Sequence, residues 1–189
     1  VLTGSVLDLD RYQLLELGQS LAGAVLGRSD IALPAYRIYD PRHRLPDRGW
    51  YRSGVVSINL PVCRPATRTP GYAWSFPGYK ADTTPTGVVA HEVGHHVDAV
   101  MRVGELRGWD RETRVSSYEP NRDEAFAEAF KLFVTNPDLL RVGRPRRWEL
   151  LIGLGLDPGD LTPWDEVLTD RGAHPRFVAA ARNWISCTR

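Results

Sequence analysis

Net charge is nearly absent from this 189-residue chain: 24 Lys+Arg face 23 Asp+Glu, a formal +1 at pH 7. No strong field therefore draws it to nucleic acid or to an anionic membrane surface. No apolar run approaches the roughly 20 residues that a membrane-spanning helix needs. Cysteine is scarce too. Cys63 and Cys187 are the 2 in the chain; their spacing suits no zinc ribbon, and they are too few for a disulfide framework, which leaves at most one bridge between them. Lysine occurs only at Lys80 and Lys131, a bias expected of GC-rich coding rather than of an arginine-based binding surface. What remains is ordinary globular material, 42% hydrophobic and 25% charged, and at about 100–200 residues per domain the whole of 1–189 is expected to be one domain. The chain opens on Val1 without a charged-then-apolar leader. We expect a processed product or a domain of something longer, with any targeting signal upstream.

Apolar residues recur at helical spacing over 8–26, with Gly27 as the stop signal. Short β-branched runs at 35–39 and 54–60 predict strands. Residues 61–85, rich in Pro, Gly, Thr and aromatics, predict a long ordered loop whose aromatic part, Tyr72 to Tyr79, would wall a cleft or seal the core. Thr86 is the expected cap of a helix that runs to about Val103. A second helix is predicted over 122–135, ended by Asn136-Pro137, and others over 146–154, 164–168 and 175–186. Strands first and helices after make an α+β domain, a small mixed sheet followed by a mainly helical half.

The segment His91-Glu92-Val93-Gly94-His95 carries the chemistry. Four residues apart on a helix, His91 and His95 stand one turn apart on one face. Both imidazoles can reach one Zn²⁺ at about 2.0–2.1 Å. Glu92 lies about 100° further round, placed to act on a water as general base without ligating the ion. Val88, Val89, Val93 and Val97 surround the motif, and unpaired imidazoles in such a wall would be costly. Gly94 removes a side chain and lets another backbone approach. A catalytic zinc needs a third protein ligand. The pattern HExxHxxGxxH is excluded, because its later positions are Asp98 and Met101. A glutamate from a second helix is the alternative, and Glu124 and Glu128 share one face of the helix at 122–135. Small Ala125, Ala127 and Ala129 permit close helix approach. One acid can bind zinc while the other orients a histidine.

Taken together, HEVGHHVD, a following tyrosine, and then EAFAEAFKLF resemble the protease domain of anthrax lethal factor and, more distantly, the bacterial Pro-Pro endopeptidases, all gluzincins. The likeness covers roughly 87–98 and 117–133. It implies a zincin-like fold, one zinc per chain held by His91, His95 and Glu124, Glu92 as general base, and Glu128 as the partner of a ligating histidine. It implies also that Tyr118 faces the oxyanion, although Tyr118 stands six residues before Glu124 and the loop from His95 to Glu124 is short for that family.

Zinc proteases of this kind bind extended substrates against an edge strand. We therefore expect Ser57, Ile58 and Asn59, in the second predicted strand, to bind substrate. Asp98 is expected to orient a ligand or brace the loop, His96 to meet a structural acceptor, His43 to lie in a charged turn, and His174 to start a late helix. The expected function is a monomeric zinc endopeptidase acting on protein or peptide substrates, with neither nucleic acid nor membrane as partner; secretion, or delivery into a target cell within a larger protein, would suit the resemblance. Two other readings stand beside it: a non-catalytic zinc-stabilised binding module of a larger toxin or virion protein, and an aspzincin with Asp98 or Asp123 as third ligand.

Overall fold

A computed structural model describes residues 10–39, 47–64, 81–103, 112 and 114–161. The predicted helices at 164–168 and 175–186, the aromatic loop at 72–79, His43, His174 and Cys187 lie outside these residues.

Helix α1 (Arg11–Arg28) begins at Asp10, whose carboxylate accepts from the Gln13 N–H while the Gln13 side chain accepts from the Asp10 N–H, a reciprocal capping box. Gly27 does not stop it. The helix runs one residue further and closes at Ser29, whose hydroxyl and amide both donate to Val25 O.

Three strands form a mixed sheet in the order β1-β3-β2, namely β1 (Ala35–Tyr39), β2 (Gly49–Arg52) and β3 (Val55–Asn59). β3 lies parallel to β1, with Ala35 opposite Val55, and antiparallel to β2, with Arg52 opposite Val55. Ser53 and Gly54 make the hairpin turn, with φ of 49° and 81°. Two consecutive positive φ values define the type I′ turn whose twist matches that of the flanking strands, and glycine takes the second without strain. The Tyr51 hydroxyl accepts from Gly54 N–H at 3.0 Å and secures the turn.

Helix α2 (Pro85–Met101) is capped by Thr84 rather than Thr86: the Thr84 hydroxyl accepts from Gly87 N–H and Pro85 fills the first helical position. Thr86 sits inside the helix, where its hydroxyl donates to Leu14 O of α1 at 2.7 Å. A Cβ on Gly18 would lie 2.9 Å from Thr86 Cα, so glycine there lets the two helices touch. Helix α3 (Arg122–Thr135) packs on another side of α2, with Phe126, Phe130 and Phe133 in the core and Trp148 against Phe133. Asn136-Pro137 ends α3 as expected, but Pro137 also opens α4 (Pro137–Gly143), and Pro145 opens α5 (Pro145–Gly153).

The sheet covers a further side of α2, so α2 is buried along most of its length. The domain is α+β, and among the described residues it has five α-helices and a three-stranded mixed sheet.

Candidate metal centre

α2 and α3 bring the motif residues to one cleft of about 710 Å³, lined among others by His91, Glu92, His95, Tyr118, Glu124 and Glu128. Gly94 makes the crossing close. A Cβ there would stand 2.8 Å from Ala127 Cα, so the bare backbone of α2 rests on α3 between the two acids, next to Glu128 in the chain. On α3, Asn121 caps the first turn by accepting from the Glu124 N–H at 3.0 Å, which fixes the backbone of the third candidate ligand.

Glu124 Oε2 lies 2.9 Å from His91 Nε2 and 3.5 Å from His95 Nε2. Buried, it accepts no well-aligned hydrogen bond from either. A carboxylate oxygen with no aligned hydrogen bond that faces two imidazole nitrogens is compatible with a bound cation. Four-coordinate bonds of about 2.0–2.1 Å put neighbouring ligand atoms roughly 3.3 Å apart, a value these separations bracket. His91, His95 and Glu124 present ligand atoms all within 4.8 Å of one another; neither Asp98 nor Asp123 joins that group among the described residues, though both line the cleft. The donor set fits a first-row divalent metal ion.

Behind it stands a chain of buried charge. His91 Nδ1 donates to Glu128 Oε1 at 2.7 Å, and Lys131 Nζ donates to Glu128 Oε2 at 2.5 Å, with both Glu128 and Lys131 almost wholly buried. Glu128 thus fixes the tautomer that turns His91 Nε2 towards Glu124. If so, Glu124→Ala should lose metal in a chelator-competition assay by 100-fold or more, and Glu128→Gln, which keeps an acceptor for Nδ1–H, by about 10-fold. The reverse order would exchange the roles of the two acids.

Without metal, the acids hold a proton in the site. Burial pushes the His91 imidazole down, but contacts with Glu124 and Glu128 outweigh it and raise the group to about 9. Burial raises Glu92 to about 7 despite the nearby His91. Burial opposes ionisation of Glu128 too, yet Lys131 and His91 hold it down at about 2. The His91 imidazole holds Glu124 low, and burial lowers His95.

A group raised on folding contributes stability below its unfolded value and loses it as pH climbs through the folded one. Glu92 therefore costs stability as pH rises from 4.5 to 7, and His91 from 6.5 to 9; Glu128 gives its share above 4.5 and loses it only towards pH 2. The metal-free melting temperature should accordingly fall by about 5–10 °C between pH 5.5 and 8.5. A metal ion bound by His91 would have to displace that proton, so any melting-temperature gain from added zinc should grow with pH. Equal slopes with and without zinc in thermal melts would show that His91 is not protonated in the metal-free site.

Tyr118 joins the cleft as well. Its ring centroid is 5.7 Å from that of His91, and its side chain is half exposed to the cleft. Burial and the nearby Glu124 and Glu92 raise its hydroxyl above its usual value. His96 points away: its Nε2 bonds to Ala32 O at 2.8 Å and its Nδ1 meets the Tyr51 hydroxyl at 3.3 Å, which ties α2 to the sheet.

The expected substrate strand is misplaced. Ser57, Ile58 and Asn59 are buried in β3, which pairs on both sides, with β1 and with β2. Its main chain has no open rim. Among the described residues the strand that borders the cleft is β2, which contributes Gly49, Trp50 and Tyr51 to its lining. Gly49 is a position of the cleft that the sequence did not single out. A Cβ there would meet Glu92 Cγ and Oε1 at 2.9 Å and Val88 Cγ1 at 2.7 Å, so the glycine makes room for the Glu92 carboxylate beside the strand.

No protein-family model matches the chain, and no match was found among the curated proteins or the solved structures.

Proposed function

We propose that this chain is a zinc-dependent endopeptidase with a zincin-like fold and a gluzincin ligand set. The reading is carried by one observation: Glu92, adjacent in sequence to a candidate ligand, lies in the same cleft outside the three-residue ligand group. A purely structural metal site has no use for such a free carboxylate, whereas a hydrolase needs a base beside its attacking water. The resemblance of the motif segments to lethal factor-type proteases points the same way.

In this reading His91, His95 and Glu124 hold the ion, and Glu128 orients His91. Zinc bound there would supply Lewis acidity and lower the pKa of water towards about 7. Glu92 takes the proton from the attacking water and passes it to the leaving amine; its buried carboxyl suits both halves of that transfer. The Tyr118 hydroxyl donates to the oxyanion that develops on the scissile carbonyl. β2 offers main-chain N–H and C=O groups to an extended substrate running along the cleft.

The test is cleavage of a peptide library by the zinc-loaded chain with and without chelator. Defined cleavage that chelator abolishes and zinc restores is expected. Tight zinc binding with no cleavage of any peptide would favour the binding-module reading instead.

A further inference from the structure

The segment that carries Tyr118 is gripped from behind, away from the cleft. Arg144, between α4 and α5, and Arg147, in the first turn of α5, are both buried. Arg144 Nε and Nη2 donate to the Arg114 carbonyl at 3.2 and 2.7 Å. Arg147 Nη2 donates to Glu119 Oε2 at 3.0 Å, and Glu119 Oε1 accepts from the N–H groups of Val115 and Ser116 at 2.5 and 3.0 Å. The Ser116 hydroxyl then accepts from the Tyr118 N–H at 3.0 Å. Residues 114–119 are thus pinned at both ends by guanidinium groups and folded inward by one carboxylate. A buried ion pair returns little net stability after its desolvation cost, and its attested use is to fix one conformation among several. Here the conformation fixed is that of a short irregular segment whose one half-exposed ring stands beside His91.

We propose that Arg144 and Arg147 are positioning residues that set the Tyr118 hydroxyl relative to the metal centre, an inference that rests on the reading of Tyr118 as the oxyanion donor. Neither arginine is in the cleft lining; Arg144 acts through the Arg114 carbonyl and Arg147 through Glu119. An oxyanion donor is useful only within a fraction of an ångström of its place, and a misplacement of about 1 Å can cost up to 100-fold.

The test uses the full chain labelled with 3-fluorotyrosine, the Tyr118 resonance being assigned by its loss in Tyr118→Phe. Arg147→Met alone leaves the Glu119 carboxylate buried and unpaired, so the informative variant is Arg147→Met/Glu119→Gln, which removes both charges and keeps an acceptor for the two amides; Arg147→Lys is the conservative rescue. In the unaltered chain, added zinc should shift a single sharp Tyr118 resonance. The paired variant should show a broadened resonance with at most half that shift, unchanged zinc content, a kcat lower by about 10–100-fold and an unaltered KM. Arg147→Lys should recover most of the shift. In a Tyr118→Phe background the paired change should lower kcat no further. An undiminished zinc response in the paired variant, or an equal kcat loss in the Tyr118→Phe background, overturns the proposal. If the unaltered chain cleaves no peptide, the protease reading fails by itself, and the fluorine response alone decides whether the arginines position the ring.

Discussion

Glu92→Gln is expected to hold zinc as tightly as the unaltered chain, to lose about a thousandfold or more in kcat, and, freed of metal, to melt at a higher temperature at pH 8. The first two effects follow from shape and charge. Glutamine fills the same space beside Gly49 and lies outside the ligand group, but it cannot accept a proton. The third follows from burial. Keeping the carboxylate ionised at pH 8 costs the folded protein the difference between an ordinary value of 4.5 and one near 7. Each unit of that difference is about 1.4 kcal/mol, so the neutral isostere should gain on the order of 1–3 kcal/mol. Damage to the fold lowers activity and stability together; replacement of a strained catalytic base lowers one and raises the other. Peptide cleavage by the zinc-loaded protein and thermal melts of the same preparation freed of metal distinguish the cases. Undiminished turnover would remove Glu92 from the reaction.

Gly94→Ala should destabilise the protein by about 1–3 kcal/mol and weaken zinc binding, although alanine is the better helix former. The added methyl would meet Ala127 Cα at 2.8 Å, and backbone cannot swing aside as a side chain can. α2 and α3 must separate, and the imidazoles and the glutamates ride on opposite sides of that contact. Gly27, near the end of α1, is the control: nothing lies within 4 Å of a Cβ there, so Gly27→Ala should stabilise by about 0.5–1 kcal/mol. Denaturant melts on both variants, with zinc competition on the first, test the pair. A neutral Gly94→Ala would mean that the helices part without cost.

The motif residues were legible because their geometry is local. The four-residue spacings of His91 with His95 and of Glu124 with Glu128 fix faces of helices whatever surrounds them. That the two faces meet was signalled by Gly94 and the alanines of α3, which leave nothing between the helices to hold them apart. The sheet was harder. β2 is four residues long, and its strand-favouring Trp50 and Tyr51 stand between a glycine and an arginine, too short a run to mark a strand by propensity alone. Ser53-Gly54 between two apolar runs was its available sign, as a two-residue turn. β3 was read as an edge, but its partner β2, joined to it by the Ser53-Gly54 turn, was not foreseen, and pairing with β1 and β2 makes β3 the central strand. Pro85 decides the cap: a proline prefers the first helical position, which makes Thr84 and not Thr86 the residue before the helix. Lys131 stands one turn from Glu128, a spacing the sequence already held, but a lysine three residues after a glutamate is ordinary on a solvated helix face and did not announce a buried pair. Nothing local announced the paired arginines, because they acquire their partners only when distant segments pack.

The link from His91 through Glu128 to Lys131 closes on itself whether or not an ion is present. In small zinc-dependent modules the polypeptide stays unfolded until its ion arrives. Here Glu128 already pairs with the imidazole and the ammonium, and the surrounding helices are capped and packed by their own residues. If the centre takes up a metal ion as proposed, folding and metallation would then be separable events, the chain maturing first and gaining its ion afterwards.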